Sequence, residues 1–570
     1  MDHVERMKRA LQRKPLEATL ALVALAATFY VVAFPLMVTR WAPMTDLPFH
    51  TANTSILRHY FDADFHYREQ FDIRPIGIPY ISTYAIGALL MFVMPSWMAA
   101  KVAAAVMLAM LPVGLAVMFH GMKKSPLLGL AGLPFVWNFL THWGFLNFVG
   151  AIGLFCLAIG LTLLLLNKPT FRRQVHLCAV LVLLFFTHIF RFPFALFGIV
   201  GTAIVMYPAT RRFWPIVPPL VLPLALFGAW FQFRPDSLSA SSIKLVNIDK
   251  TRLREFANYL LEGGFQDRHE AAALLTSYRA VGLVAIVLIL LVIADGRLAR
   301  RTKKEWAWSI GILFVALGCT GAFFLLFMKL PMEAGLWWYI YPREAISTAF
   351  LALAFLPDLP KWAVLRAPIV LALALGPLSI ARSVSTNYRA FDQVTEDLHQ
   401  ISRAIPKSPK LMYLIFDHGG STKKNTPFIH LPAYIQAEKG GWLSFHFANL
   451  ATTTVVYRNP QEPGVVLPPP VPLRWEWTRN VFECSSRAAS SIGFSSAVDH
   501  RPPPCFTPMQ RLHRSSTSVR GGFTGERCQA TTRIDGCSSS TTTSRIPRGH
   551  TPRCYAAIDD DEPRLRTISR

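Results

Sequence analysis

Charge is scarce in this chain of 570 residues: Asp, Glu, Lys and Arg together make up 16% of it, whereas 52% is hydrophobic. Soluble domains carry about 25% charged residues, and with a mean hydropathy of +0.34 a soluble globular fold is excluded. Acid is the scarcer sign, with 34 Asp and Glu against 58 Lys and Arg. Cysteine is nearly missing from the apolar part, where Cys156, Cys178 and Cys319 stand alone and read as small core residues. No cysteine spacing matches a zinc pattern. There is also no basic region interleaved with aromatics, so the net charge of +24 does not indicate a nucleic-acid partner. Most of the basic residues sit in short loops, where membrane orientation explains them.

Long apolar runs are abundant. A spanning helix needs about 20 mostly apolar residues. Apolar runs, several of them shorter than that, occur at 18–38, 78–94, 98–119, 127–140, 145–166, 175–189, 192–207, 214–233, 280–294, 306–328, 345–356 and 362–380. The expected fold class is an all-α polytopic membrane protein, with the lipid bilayer as its first partner. The run at 18–38 follows a basic head containing Arg6, Lys8, Arg9, Arg13 and Lys14. It exceeds the core of about 7–15 residues of a cleaved leader and reads as a retained anchor.

Excess Lys and Arg in short loops marks the cytoplasmic side. Lys123-Lys124, Lys168 with Arg172-Arg173, Arg211-Arg212 and the stretch 297–304 are separated by two runs each, so they share a side. The opposite face then carries the loops 39–77, 234–277 and 329–344. A cytoplasmic N-terminus at 1–17 requires one run before Lys123 not to cross. The segment 78–94, short and preceded by Arg74-Pro75 and Pro79-Tyr80, is expected to be re-entrant or interfacial. Eleven transmembrane helices follow within 18–382, with an extracytoplasmic C-terminal region, in a bacterial inner membrane.

Unusual polar residues collect on that outer face. The first loop carries MTDLPFH, with Asp46 and His50, and later YFDADFHY, with Asp62 and Asp64. Next come THWGFLNF with His142 and Asn147, then THIFRFP with His188 and Arg191, then WWYIYPRE with Tyr341, Arg343 and Glu344. Ionisable groups near the hydrocarbon boundary usually face a cavity or a partner. Taken singly each has a bland reading: a helix-end His as an interfacial hydrogen bonder, Arg343–Glu344 as a structural ion pair, Trp337–Tyr339 as an aromatic belt. Their convergence on one face points to a polar cavity.

A first helix, an outer loop with an early acid, many spans and an extracytoplasmic C-terminal domain together resemble the GT-C superfamily of membrane glycosyltransferases. Asp46 stands where that family carries its loop acid, and Asp62 and Asp64 supply a D-x-D. The W-W-D signature of the oligosaccharyltransferase branch is not matched, since Tyr339 follows Trp337-Trp338. The resemblance implies transfer of a sugar from a polyprenyl-phosphate-linked donor to a hydroxyl of a glycan, lipid or protein acceptor in the cell envelope. It implies Asp46 as general base with His50 as its partner, and Arg343, then Arg191, for the donor phosphate. His142, Asn147, His188, Tyr341 and Glu344 would line the cavity. Asp62 and Asp64 would hold a divalent cation (Mg or Mn) or simply form a solvated loop. Two other classes stay open: a transporter or flippase, and a non-catalytic assembly protein. The halves show no internal repeat of the kind common in transporters.

Beyond residue 383 a small α/β domain is expected, extending to 479. The stretch 390–404 has a helical apolar stripe of Phe391, Val394, Leu398 and Ile401, and LMYLIF is a strand candidate running into Asp417-His418-Gly419-Gly420. FIHLPAYIQAEKGGWLSFHFA is expected to cover or line the cavity. From 480 to 570 the text is rich in Ser, Arg, Pro and Cys, and no Lys occurs after Lys439. That composition reads as a disordered tail, or as translation out of frame from GC-rich DNA.

Overall fold

The computed structural model describes residues 15–77, 79–234, 244–265, 267–294, 302–334, 337–413, 418–419, 426–450 and 453–469. The basic head, the turn at Asp417 and Gly420, and the segment 480–570 lie outside the described residues.

The main helices in chain order are α1 (Pro15–Val32), α2 (Leu47–His59), α3 (Ser82–Leu90), α4 (Ser96–Gly121), α5 (Leu146–Asn167), α6 (Phe171–Thr187), α7 (Phe192–Thr210) and α8 (Val217–Phe233). They continue as α9 (Thr251–Leu261), α10 (Arg268–Ala294), α11 (Lys303–Lys329), α12 (Ile340–Ala352), α13 (Ala363–Leu375), α14 (Leu378–Val394), α15 (Glu396–Ala404) and α16 (Ala433–Lys439). Eight helical stretches among the described residues are long and apolar enough to cross a membrane. The chain is thus a mostly helical protein suited to a bilayer. The outer helices bear this out physically: Leu22, Leu25 and Phe29 on α1, and Leu283, Ile286, Leu290 and Ile293 on α10, are exposed. Apolar faces of that extent are not left to water by a soluble monomer.

At the centre α5 is buried almost all round, as an evenly apolar helix should be. It lies against α4 through a seam of glycines. A Cβ at Gly114 would overlap the Gly153 carbonyl, and one at Gly121 would overlap that of Gly160. Small residues allow this backbone approach, which supplies packing where lipid gives no hydrophobic drive between helices.

Hydrogen bonds between helix ends define two ends of the bundle. At one, the Lys124 ammonium donates to the carbonyls of Ala354 and Leu356, and Arg212 donates to those of Leu166 and Asn167. The Trp308 indole donates to the Met122 carbonyl there. The basic clusters around Lys123, Lys168, Arg212 and Lys304 therefore do share an end. At the other end the Thr45 and Asp46 amides donate to the carbonyls of His142 and Trp143.

The described part of the run 78–94, residues 79–94, enters and leaves at the Asp46 end. The Ile81 amide bonds the Phe186 carbonyl before α3, and after it Phe92 lies under the Arg58 guanidinium of α2 at 4.1 Å. Nine residues of helix reach only about 14 Å, far less than the roughly 30 Å hydrocarbon core. Other runs shift for local reasons. The run 127–140 forms a 3-10 segment, Pro126–Phe135, because Pro126, Gly129, Gly132 and Pro134 disfavour the α form. α10 starts twelve residues before its apolar run, and its polar first turn holds the buried Glu270. The 390–404 stripe is broken at Thr395 into α14 and α15, so Phe391 and Leu398 are buried while Val394 is exposed.

The region after 383 does not stand apart as its own α/β unit. Strand β1 (Phe71–Ile73) of the first loop pairs antiparallel with β4 (Val455–Tyr457), and β2 (Lys410–Leu411) pairs parallel with β3 (Trp442–Leu443). Trp41, Phe49 and Ala52 of the first loop share one core with Phe391, Leu398, Leu411, Tyr413 and Tyr434. Thr39 Oγ1 and the Arg40 amide both donate to Asp392, at 2.7 and 2.8 Å. Of LMYLIF, only Leu411 lies in a described strand, and residues 414–416 lie outside the described set.

This layer at the Asp46 end should be acid-sensitive. His446 is buried against Phe49 and Phe71, and burial, then the charge of His430, pushes it down to about 3. Unfolded, the same ring takes a proton near its ordinary 6.5. Stability present above that pH is therefore lost as pH falls toward 3, at up to about 1.4 kcal/mol per unit. His446→Gln is expected to flatten the fall in detergent-solubilised melting temperature between pH 6.5 and pH 5.

Candidate functional site

Asp46 sits at the N-cap of α2, where Pro48 presets the first helical turn. It is only 8% exposed. Its backbone is pinned to the turn after Phe139–Trp143, and Gly144 there adopts φ +106. A Cβ at Gly144 would lie 2.7 Å from the Asp46 Cβ. Both the left-handed backbone and the contact demand glycine. Gly144→Ala is expected to displace the Asp46 loop and destabilise the protein by about 1–3 kcal/mol, read as a lowered melting temperature.

The partner of the Asp46 carboxylate is His430, with Nδ1 at 3.1 Å from Oδ1. The same Nδ1 is 3.0 Å from the Thr45 carbonyl. Both neighbours accept, so Nδ1 carries the proton. His50, expected in that role, is held otherwise. Its Nε2 donates to the Gly144 carbonyl at 2.9 Å, and its Nδ1 accepts from the Tyr84 hydroxyl at 3.0 Å. Burial holds His50 below its usual range, against the opposing pull of the Asp46 charge. It is a neutral ring that positions the Asp46 turn, because a side chain one turn along α2 points to Tyr84 rather than back to its own N-cap.

Arg343 meets this group from α12. Tyr339 takes a left-handed backbone (φ 60), which turns the Trp338 and Tyr339 carbonyls onto Nη2 and Nε of Arg343 at 2.7 and 2.9 Å. Its guanidinium lies over Phe145 at 4.0 Å, next to Gly144, within reach of the charges of Glu344 and Asp46. Nη1 makes no hydrogen bond among the described residues. A carboxylate and a cation from distant parts of the sequence thus face one region.

The remaining expected residues divide. His188 belongs to the group: its ring contacts Tyr80 and Phe148, and its Nδ1 accepts the Arg191 amide at 3.2 Å. Asn147 nearby accepts from Thr83. Arg191 is committed elsewhere, to Glu344 and Ser347 at 3.0 Å each, so Glu344 pairs with Arg191 and not with its neighbour Arg343. His142 does not line the site. It is fully buried, 3.2 Å from Glu270 and packed on Trp137, Phe265 and Tyr388. Tyr341 points to α9, where its hydroxyl donates to Glu255 at 2.7 Å.

Asp62 and Asp64 fit a divalent cation poorly. Asp62 pairs with His59 at 2.5 Å and Asp64 with Lys407 at 3.1 Å, so the two carboxylates serve different partners. Among the described residues no group of three His, Cys, Asp or Glu is disposed to hold a metal. The residues that sequence reasoning missed are His430, Tyr84, Tyr80 and Gly144. The one available signal was a polar ring set inside the apolar stretch FIHLPAY, the segment expected to cover the cavity.

No protein-family model matches this chain, and no curated protein matches it.

Proposed function

We propose that the chain is a GT-C-like membrane glycosyltransferase that moves a sugar from a polyprenyl-phosphate-linked donor to an acceptor hydroxyl. The observation that carries this reading is the convergence of the buried Asp46–His430 pair with Arg343. In this reading the bundle crosses a bacterial inner membrane eleven times, with the Lys123 end cytoplasmic and the Asp46 end outside.

The acceptor oxygen attacks the anomeric carbon, and its proton passes to the Asp46 carboxylate. The bond from that carbon to the phosphate oxygen breaks, and polyprenyl phosphate leaves with the electron pair. His430 donates to Asp46 and holds its carboxylate in place. Arg343 offers Nη1 to the charge developing on the leaving phosphate, where a fixed donor in a water-poor site counts most. No step is assigned to a metal.

Purified protein in proteoliposomes, given a panel of polyprenyl-phosphate sugars, should release polyprenyl phosphate. Movement of the intact lipid-linked sugar across the bilayer without cleavage would replace this reading with a flippase. Within the transferase reading His430→Gln, which keeps a donor but not the ring, should cost about 10–100-fold in turnover with the detergent melting temperature little changed. A role in packing alone would lower the melting temperature and turnover together.

A further inference from the structure

At the Lys123 end, away from Asp46, the helices enclose a cavity of about 1260 Å³. Its lining holds five cations, Lys123, Lys124, Arg212, Lys304 and Lys361, against two carboxylates, Glu305 and Asp358. The carboxylates cap backbone: Glu305 takes the amide and hydroxyl of Thr302, and Asp358 takes the amides of Ser125 and Leu359. Lys124 and Arg212 are anchored by main-chain carbonyls, which orient them but do not cancel their charge. The Lys123 ammonium is braced on the Trp308 ring at 3.8 Å. Burial pulls Lys124 down to about 8, with Asp358 acting against it, which leaves it a cation at neutral pH that a nearby anion would stabilise.

Below this rim the cavity turns apolar. Along α11 the lining runs from Thr302, Lys304 and Glu305 at the rim to Ile312, Leu313 and Ala316, about 20 Å from rim to floor at the helical rise. A cationic rim that leads down to an apolar floor suits neither a free phosphate alone nor a plain hydrocarbon. Basic pockets between membrane helices take anionic headgroups.

We propose that this cavity binds a phospholipid with an anionic phosphate headgroup, its phosphate at the Lys and Arg rim and an acyl chain along α11. The site is independent of the transferase reading, so either can fail without the other.

The test uses the full chain in neutral detergent, with native mass spectrometry of lipid retained from mixed micelles of phosphatidylglycerol and phosphatidylcholine. Phosphatidylglycerol should be retained about tenfold over phosphatidylcholine, a preference of about 1.4 kcal/mol. The triple variant Lys123→Gln, Lys304→Gln, Lys361→Gln removes only exposed side chains and should lose that preference. Ala316→Trp, deep in the slot, should reduce retention of both lipids while leaving the rim intact. Equal retention of the two lipids by the wild type, or an unchanged preference in the triple variant, would overturn the proposal. Displacement of the lipid by millimolar glycerol phosphate or inorganic phosphate would make this a free-phosphate site and overturn the lipid assignment.

Discussion

Asp46→Asn is expected to lower sugar transfer by about 10²–10⁴-fold, the usual worth of a positioned general base, while the protein inserts and melts as the wild type does. The substitution is close to isosteric, and the amide can still accept from His430 Nδ1, 3.1 Å away. The backbone bonds of residue 46 to Trp143 and His50 are untouched. What disappears is the capacity to take a proton. Release of polyprenyl phosphate from a labelled donor, measured beside the detergent melting temperature, separates the two effects. Transfer at the wild-type rate would remove Asp46 from the reaction. Arg343→Lys adds a second reading: it keeps the charge but not the planar fork held by the Trp338 and Tyr339 carbonyls. Turnover should fall while stability changes little.

Arg191→Met is expected to be the most destabilising single change, at about 3–5 kcal/mol. The guanidinium lies between Phe148 and Phe323, 4.5 Å from each ring, and bonds Glu344 and Ser347 at 3.0 Å. Both charged side chains are less than 10% exposed. Removing the cation leaves a buried carboxylate without its counter-charge among aromatic rings. The double variant Arg191→Met, Glu344→Leu removes both charges and should recover most of the loss. Thermal unfolding in detergent across this cycle checks it. A single variant as stable as the wild type would return Arg191 to the donor-phosphate role that the sequence suggested.

How much of the site was legible in sequence follows from what each residue depends on. Asp46, His188 and Arg343 were readable because they sit at the ends of apolar runs, and loop charge places those ends on one side. His142 shares that address, yet its ring turns inward to Glu270, a choice made by packing against α10 and not by position in the chain. The resemblance makes His50, one helical turn along, the partner of Asp46. Spacing fixes neighbours on one helix face, whereas Tyr84 and Gly144 come from other segments and take both ring nitrogens. His430 could not be paired with Asp46 by any local rule. Its segment reaches the first loop through a shared core with Trp41 and Phe49.

By itself the sequence determined the class of this protein and the sorting of its loops between two ends. Both follow from one-dimensional quantities, the length of apolar runs and the count of Lys and Arg between them. The charge pattern also singled out 78–94 as the odd run, and the helix formed there, Ser82–Leu90, is short. The tertiary structure alone decided which polar groups meet: His430 with Asp46, Arg191 with Glu344, and the first loop with the chain after 383. Those pairings arise between segments 153 or more residues apart, where the energy of burying a charge depends on what faces it and not on its neighbours along the chain.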